Sequence, residues 1–133
     1  MVESLDLDED RIRGQQQSAI HGSSFAPLFG DGGASAPATR TTQHFEMLGS
    51  RALYQDGWKA VTFKALGPMT GDTTAHAFMA PFDDDIWELY HVAVDPSEVH
   101  DLAIEEPQRL ERMIETWWEE AARFHVLPLD NRI

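Results

Sequence analysis

The sequence predicts a small α+β fold: an antiparallel sheet of about four strands packed by one C-terminal amphipathic helix, after an irregular N-terminal segment. Three observations lead there. Two tight-turn signals, Gly49-Ser50 and Asp56-Gly57, punctuate an alternating stretch over residues 42–63. A further alternating run from Ile86 to Val92 supplies the fourth strand. Between Pro107 and the stop at Val126-Leu127-Pro128-Leu129, apolar residues recur at three- and four-residue steps.

Residues 1–40 read as irregular, because Gln15-Gln16-Gln17 and the run from Gly30 to Pro37 are polar or small without apolar periodicity. The apolar side chains of Ile20, Phe25, Leu28 and Phe29 in this segment need a surface to pack on. The organised part is expected to be 41–133. In the meander, Gly49-Ser50 suits a two-residue turn with Gly first, and Asp56-Gly57 suits a hairpin turn with positive φ at both central positions. Phe45, Met47, Ala52, Tyr54, Val61 and Phe63 then share one face with the stem of Lys59. His44, Glu46, Arg51, Gln55, Trp58 and Thr62 share the other with Leu48, Leu53 and Ala60. The helix is expected to lie across the first, apolar face.

Residues 64–85 carry Gly67-Pro68, Gly71-Asp72 and Pro81 and read as a long loop ending in Asp83-Asp84-Asp85. Asp95-Pro96-Ser97-Glu98 reads as a short helix start, with a capping Asp, Pro in first position and Glu three residues after the cap. The main helix begins near Glu106-Pro107. Its apolar stripe is Leu110, Met113, Ile114, Trp117, Trp118, Ala121 and Ala122, and Glu119 and Arg123 are spaced for a surface ion pair.

Composition removes several function classes. With 23 acidic against 10 basic residues the formal net charge is -13, a field that repels phosphate backbones and anionic lipid, so neither nucleic acid nor membrane is an expected partner. The absence of cysteine removes thiolate metal sites, cysteine nucleophiles and disulfides. The acidic start, Met1 to Asp10, lacks the basic and apolar regions of a signal peptide, and no stretch reaches bilayer-spanning length. As written, the chain is expected in the cytoplasm.

The stretch from Thr41 to Lys59 resembles a segment near the C-terminus of bacterial arylsulfatases. Ile20-His21-Gly22-Ser23-Ser24-Phe25, the acidic-then-WELY run Asp84-Asp85-Ile86-Trp87-Glu88-Leu89-Tyr90, the turn Asp95-Pro96-Ser97-Glu98-Val99-His100-Asp101-Leu102 and the close Val126-Leu127-Pro128-Leu129-Asp130-Asn131-Arg132 resemble the same family in the same order. The collinear match covers roughly residues 11–132, which makes it stronger than any one motif. The resemblance implies a smaller C-terminal subdomain, an antiparallel sheet and one helix, packed against a larger domain of the alkaline-phosphatase type. That larger domain would be the chain's partner, in cis or as a separate chain. In the family it hydrolyses sulfuric esters with a formylglycine made from Cys or Ser in a C/S-x-P-x-R motif and with a calcium ion. Ser35-Ala36-Pro37-Ala38-Thr39-Arg40 places Arg one position late and in the wrong part of the family's order, and reads as an accidental loop. No catalytic residue, cofactor-binding residue or metal ligand carries over. The expectation is a sulfatase tail, inactive by itself; the alternative is a small stand-alone interaction module derived from such a tail.

The remaining constellations have plain structural readings. Asp83-Asp84-Asp85 lacks the spacing of a calcium loop and reads as a solvated loop end. His21, His44, His76, His91, His100 and His125 include no pair at the four-residue helical spacing of a metal site, although His91 and His100 could approach each other across the Asp95 turn. Trp117 and Trp118 belong to the helix stripe. Trp58 follows the hairpin turn on the mixed sheet face, so Gln55, Asp56 and Trp58 are the candidate pocket-rim or interface residues.

Overall fold

The computed structural model describes residues 11–18, 21–22, 29, 40–64 and 81–129. Most of the Ile20–Phe29 stretch, the loop 65–80 and the Ser35–Thr39 part of the near-miss motif lie outside the described residues. The chain divides into two units, Met1–Thr39 and Arg40–Ile133. In the first, β1 (Arg11–Ile12) pairs with β2 (Gln15–Gln16) through a turn at Arg13-Gly14, both with positive φ, within the segment read as irregular.

The second unit holds the α+β fold. β3 (Thr42–Met47), β4 (Ser50–Gln55), β5 (Trp58–Thr62) and β6 (Glu88–Tyr90) form an antiparallel sheet in the order β3-β4-β5-β6. A 3-10 turn at Phe82–Asp84 precedes β6, and one helix, α1 (Pro107–Arg123), follows it. The fourth strand is shorter than the alternation of Ile86–Val92 suggests. Leu89 and Tyr90 pair with Ala60 and Lys59, and the chain then turns away at 92–94.

Both hairpins close through two-residue turns with positive φ at each position: Leu48 (52°) with Gly49 (82°), and Asp56 (48°) with Gly57 (85°). The second is the expected one. The first sits one residue earlier than Gly49-Ser50, since Met47 pairs with Ser50. Moving both turn residues back by one shifts each cross-strand partner by two, so side chains keep their faces. Glu46 secures this turn by accepting a hydrogen bond from the Gly49 N–H (2.9 Å).

The correction is in which face the helix covers. Leu53, Ala60, Leu89, Trp117 and Ala121 are fully buried, with Met113 beside them. These sheet residues belong to the mixed face, so α1 packs there. The face expected to be buried is open: Phe45 is 53% exposed, Met47 71% and Phe63 68%. Apolar count alone favoured that face. The mixed face wins because its principal polar groups find partners there: Trp117 Nε1 donates to the Phe45 carbonyl (3.0 Å) and Arg51 and Lys64 bond Asp85, although Thr62 Oγ1 and Arg51 Nε have no partner among the described residues.

Helix α1 starts where expected, with Pro107 in the first turn, where its missing N–H costs nothing. It ends in a Schellman arrangement: the Val126 N–H reaches the Ala121 carbonyl (2.9 Å) and the His125 N–H the Ala122 carbonyl (3.4 Å), with His125 at φ 60° in the position usually given to glycine. Arg123 pairs with Glu120 (3.4 Å), three residues back, in place of Glu119. The Asp95 signature opens no helix. Asp95 accepts from the Val99 and His100 N–H groups (2.9 Å each), while Glu98, at φ 53°, pairs with Lys59 (2.6 Å).

The reversed face is directly testable. Leu53→Ala is expected to cost about 2–5 kcal/mol, the range for a buried leucine, whereas Phe45→Ser is expected to cost less than about 1 kcal/mol. Chemical denaturation of the two variants checks this, and equal losses would argue that both faces are covered.

Candidate interaction surface and buried cation cage

Three parts of the Arg40–Ile133 unit bear on function. The first is the open sheet face. Register places Phe45, Ala52 and Val61 in one row, Met47 next to Ser50 and Phe63 at one end, and Tyr54, Lys59 and Tyr90 at the other. Phe45, Met47, Ala52, Val61 and Phe63 line a shallow apolar depression with Val126. The opposite end is polar: Lys59 holds Glu98, and the Tyr90 hydroxyl donates to Glu88 (3.0 Å). Desolvation, then the Glu88 hydrogen bond and its negative charge, push the Tyr90 phenol up to about 12 from the usual 10.0. Glu88 itself pairs with Val61, so the apolar row ends in a carboxylate at β6.

The second part is the corner formed by Gln55, Asp56 and Trp58. Gln55 pairs with Trp58 across the β4–β5 turn, and Asp56 sits exposed in that turn. The corner is tied down by hydrogen bonds from the Asp56 N–H to the Thr41 carbonyl and from the Ala93 N–H to the Gly57 carbonyl, both 3.1 Å. A side chain on Gly57 would approach Ala93 to 2.9 Å, so glycine is needed for space as well as for φ. Trp58 is sandwiched. His91 stacks on one side at 4.1 Å and 3°, and the Arg109 guanidinium carbon lies 4.1 Å from the ring centroid. Sequence brings these three residues together as expected, but an incoming ligand would meet the indole edge, because His91 and Arg109 already occupy positions over the ring.

The third part was not anticipated. Arg51 and Lys64 are almost wholly buried, and both bond the Asp85 carboxylate, Lys64 Nζ at 2.5 Å to Oδ1 and Arg51 Nη2 to Oδ2. Asp83 and Asp84 are exposed, as a solvated loop end should be, but Asp85 is turned inward with its side chain 8% exposed. The Arg51 guanidinium carbon lies 5.1–5.5 Å from the ring centroids of Phe82, Trp87, Trp117 and Trp118. Burial lowers the Arg51 pKa from its usual value, and the Asp85 charge and hydrogen bond oppose that shift. The residual clue in sequence was the coincidence of three tryptophans with an arginine on the mixed face.

No metal centre forms from these groups. Among the described residues no set of three or more His, Cys, Asp or Glu side chains could hold an ion, and the one inward carboxylate of the acidic run is committed to two cations. His91 is stacked on Trp58, and His44 stacks on Phe124 (5.2 Å) with Glu120 4.0 Å away. No helix among the described residues is long and apolar enough to cross a membrane.

Two outcomes follow from this geometry. Asp85→Ala strands two buried cations and is expected to cost about 3–5 kcal/mol, read from denaturant unfolding, with little effect from added salt. Tyr90 is expected to titrate near 12 by ultraviolet absorbance, returning toward 10.0 in Glu88→Gln. Because its folded pKa is raised, its contribution to stability is fully present below pH 10.0 and is lost as pH rises through about 12.

No model of a known protein family matches this chain.

Proposed function

We propose that this chain is the C-terminal subdomain of an arylsulfatase-like sulfuric ester hydrolase, inactive by itself, whose open sheet face docks on the larger catalytic domain. The observation that carries this reading is the uncovered apolar row of Phe45, Met47 and Phe63. A self-sufficient small domain with a closed core on one side of its sheet has no internal use for large apolar side chains on the other. The collinear resemblance supports the same reading, because its pieces fall on structural parts: the Thr41–Lys59 stretch spans β3, β4 and their turns, the WELY run enters β6, and Val126-Leu127-Pro128-Leu129 follows the Schellman end of α1. Formylglycine and calcium then belong to the larger domain.

The alternative reading, a stand-alone interaction module, draws on a different observation. Leu53, Ala60, Leu89 and Trp117 are fully buried within this chain, so that core is covered without another chain.

Complementation separates them. An arylsulfatase truncated before its own C-terminal meander is mixed with this chain and assayed on an aryl sulfate. The chain alone is expected to show no turnover above the uncatalysed control, and the mixture to regain activity that Phe45→Ser with Phe63→Ser abolishes while leaving the melting temperature close to wild type. Absence of both binding and regained activity would favour the stand-alone module. Turnover by the chain alone would overturn both readings.

A further inference from the structure

We propose that the free edge of β3 pairs antiparallel with β3 of a second copy about a two-fold axis at Phe45, joining two four-stranded sheets into one. This inference does not rest on the sulfatase reading. It begins from an asymmetry between the two sheet edges. At β6 the edge is closed by the chain itself: the Leu102 N–H donates to the Leu89 carbonyl (2.8 Å), and the Leu89 N–H donates to Asp101 Oδ1 (3.0 Å). At β3 it is open. In a hairpin with a two-residue turn, the flanking pair Met47 and Ser50 exchange both backbone bonds, and so do Phe45 with Ala52 and Gln43 with Tyr54. The N–H and C=O groups of Thr42, His44 and Glu46 therefore point away from the sheet. Among the described residues, the bond made to them is the one from the Gln43 side-chain amide to the His44 carbonyl (2.6 Å).

Monomeric sheets guard such an edge with lysine, proline or a bulge, and β3 (Thr42-Gln43-His44-Phe45-Glu46-Met47) has none of these. Its single full charge, Glu46, meets a side chain able to donate a hydrogen bond in one self-register. Centred on Phe45, antiparallel pairing sets His44 of each copy opposite Glu46 of the other, at the positions whose backbone groups face outward. The same register places Phe45 against Phe45 and Gln43 against Met47 on the open face, where the closer spacing of a non-hydrogen-bonded pair favours ring contact. The neighbouring register, centred on His44, would oppose two histidines and leave Glu46 against Thr42. Ring contact, and a histidine facing a carboxylate in place of a second histidine, thus select the first. The formal charge of -13 on each copy opposes approach at long range, but that repulsion is screened beyond about 8 Å at physiological ionic strength. The sheet-face row of Phe45, Met47 and Phe63 remains available after pairing and is doubled in extent.

Sedimentation velocity of the full chain across a concentration series at physiological ionic strength is the test. A reversible step from 15.0 kDa to twice that mass is expected, weakening as salt is removed. Phe45→Lys is expected to abolish it, and Glu46→Lys to weaken it about tenfold by removing the carboxylate that faces His44 in both symmetric pairs. His44→Glu combined with Glu46→Lys supplies opposite charges at the same positions and is expected to recover the dimer, a result that a merely structural effect of either substitution would not give. Circular dichroism melts show that each variant is folded. A chain that stays monomeric throughout, or one that captures an extended foreign peptide in place of its own copy, overturns the proposal. So does a dimer indifferent to Phe45→Lys.

Discussion

Asp85 holds two buried cations, and the position of nearly everything else in the Arg40–Ile133 unit depends on that contact. Arg51 comes from β4, Lys64 from the chain just after β5, and Asp85 from the segment just before β6. One carboxylate therefore ties three consecutive parts of the sheet together at its inner face. Two cations share that carboxylate in a site of low polarity, and the charges of Asp83 and Glu46 also act on Arg51. The rings of Phe82, Trp87, Trp117 and Trp118 add to this, presenting π faces to the guanidinium from the loop and from the helix. Because two of those rings are on α1, the same charge cluster fixes which sheet face the helix covers. Arg51 Nε has no hydrogen-bond partner among the described residues, so its surroundings are aromatic where hydrogen-bond acceptors would be expected.

That dependence explains what could be read from the sequence. Strand positions, the Asp56-Gly57 turn and the start of α1 were legible because each is set by local chemistry: alternation, positive φ at glycine, and proline in a first helical turn. The face of the sheet was not. Arg51, Thr62 and Lys64 look like solvent residues when scored one at a time, and Phe45, Met47 and Phe63 look like core. Burial of a cation is a collective property of Asp85, four rings and a helix that meet only after folding. Local scoring also failed at His125, where the helix stop uses a left-handed histidine in place of glycine, and at Asp95, whose carboxylate ties a turn where a helix seemed to begin.

The candidate site was legible in part for the same reason. Gln55, Asp56 and Trp58 are neighbours through a two-residue turn, so sequence alone placed them together. What covers Trp58 comes from afar: His91 lies beyond β6 and Arg109 in α1. The indole thus works as a clamp between β5, the chain after β6, and the helix. The 4.1 Å spacing on both sides closes off its faces, which moves the weight of any interaction argument from this corner to the open sheet face.

An apolar face left open to water is costly, since roughly 25 cal/mol per Å² of apolar surface is gained only when water leaves it. Leu53, Ala60 and Leu89 contribute that gain on one side of the sheet, beneath Met113 and Trp117. Phe45, Met47 and Phe63 contribute little of it within this unit. A chain that places its polar network on the covered side and its phenylalanines on the uncovered side has its inside and outside apportioned for an interface. Glu88, paired with Val61, puts a carboxylate at the β6 side of that face, so the face is apolar across β3 to β5 and acidic at β6. A larger domain can meet both parts at once, whereas pairing of β3 with a second copy extends the apolar row and leaves the acidic ends far apart.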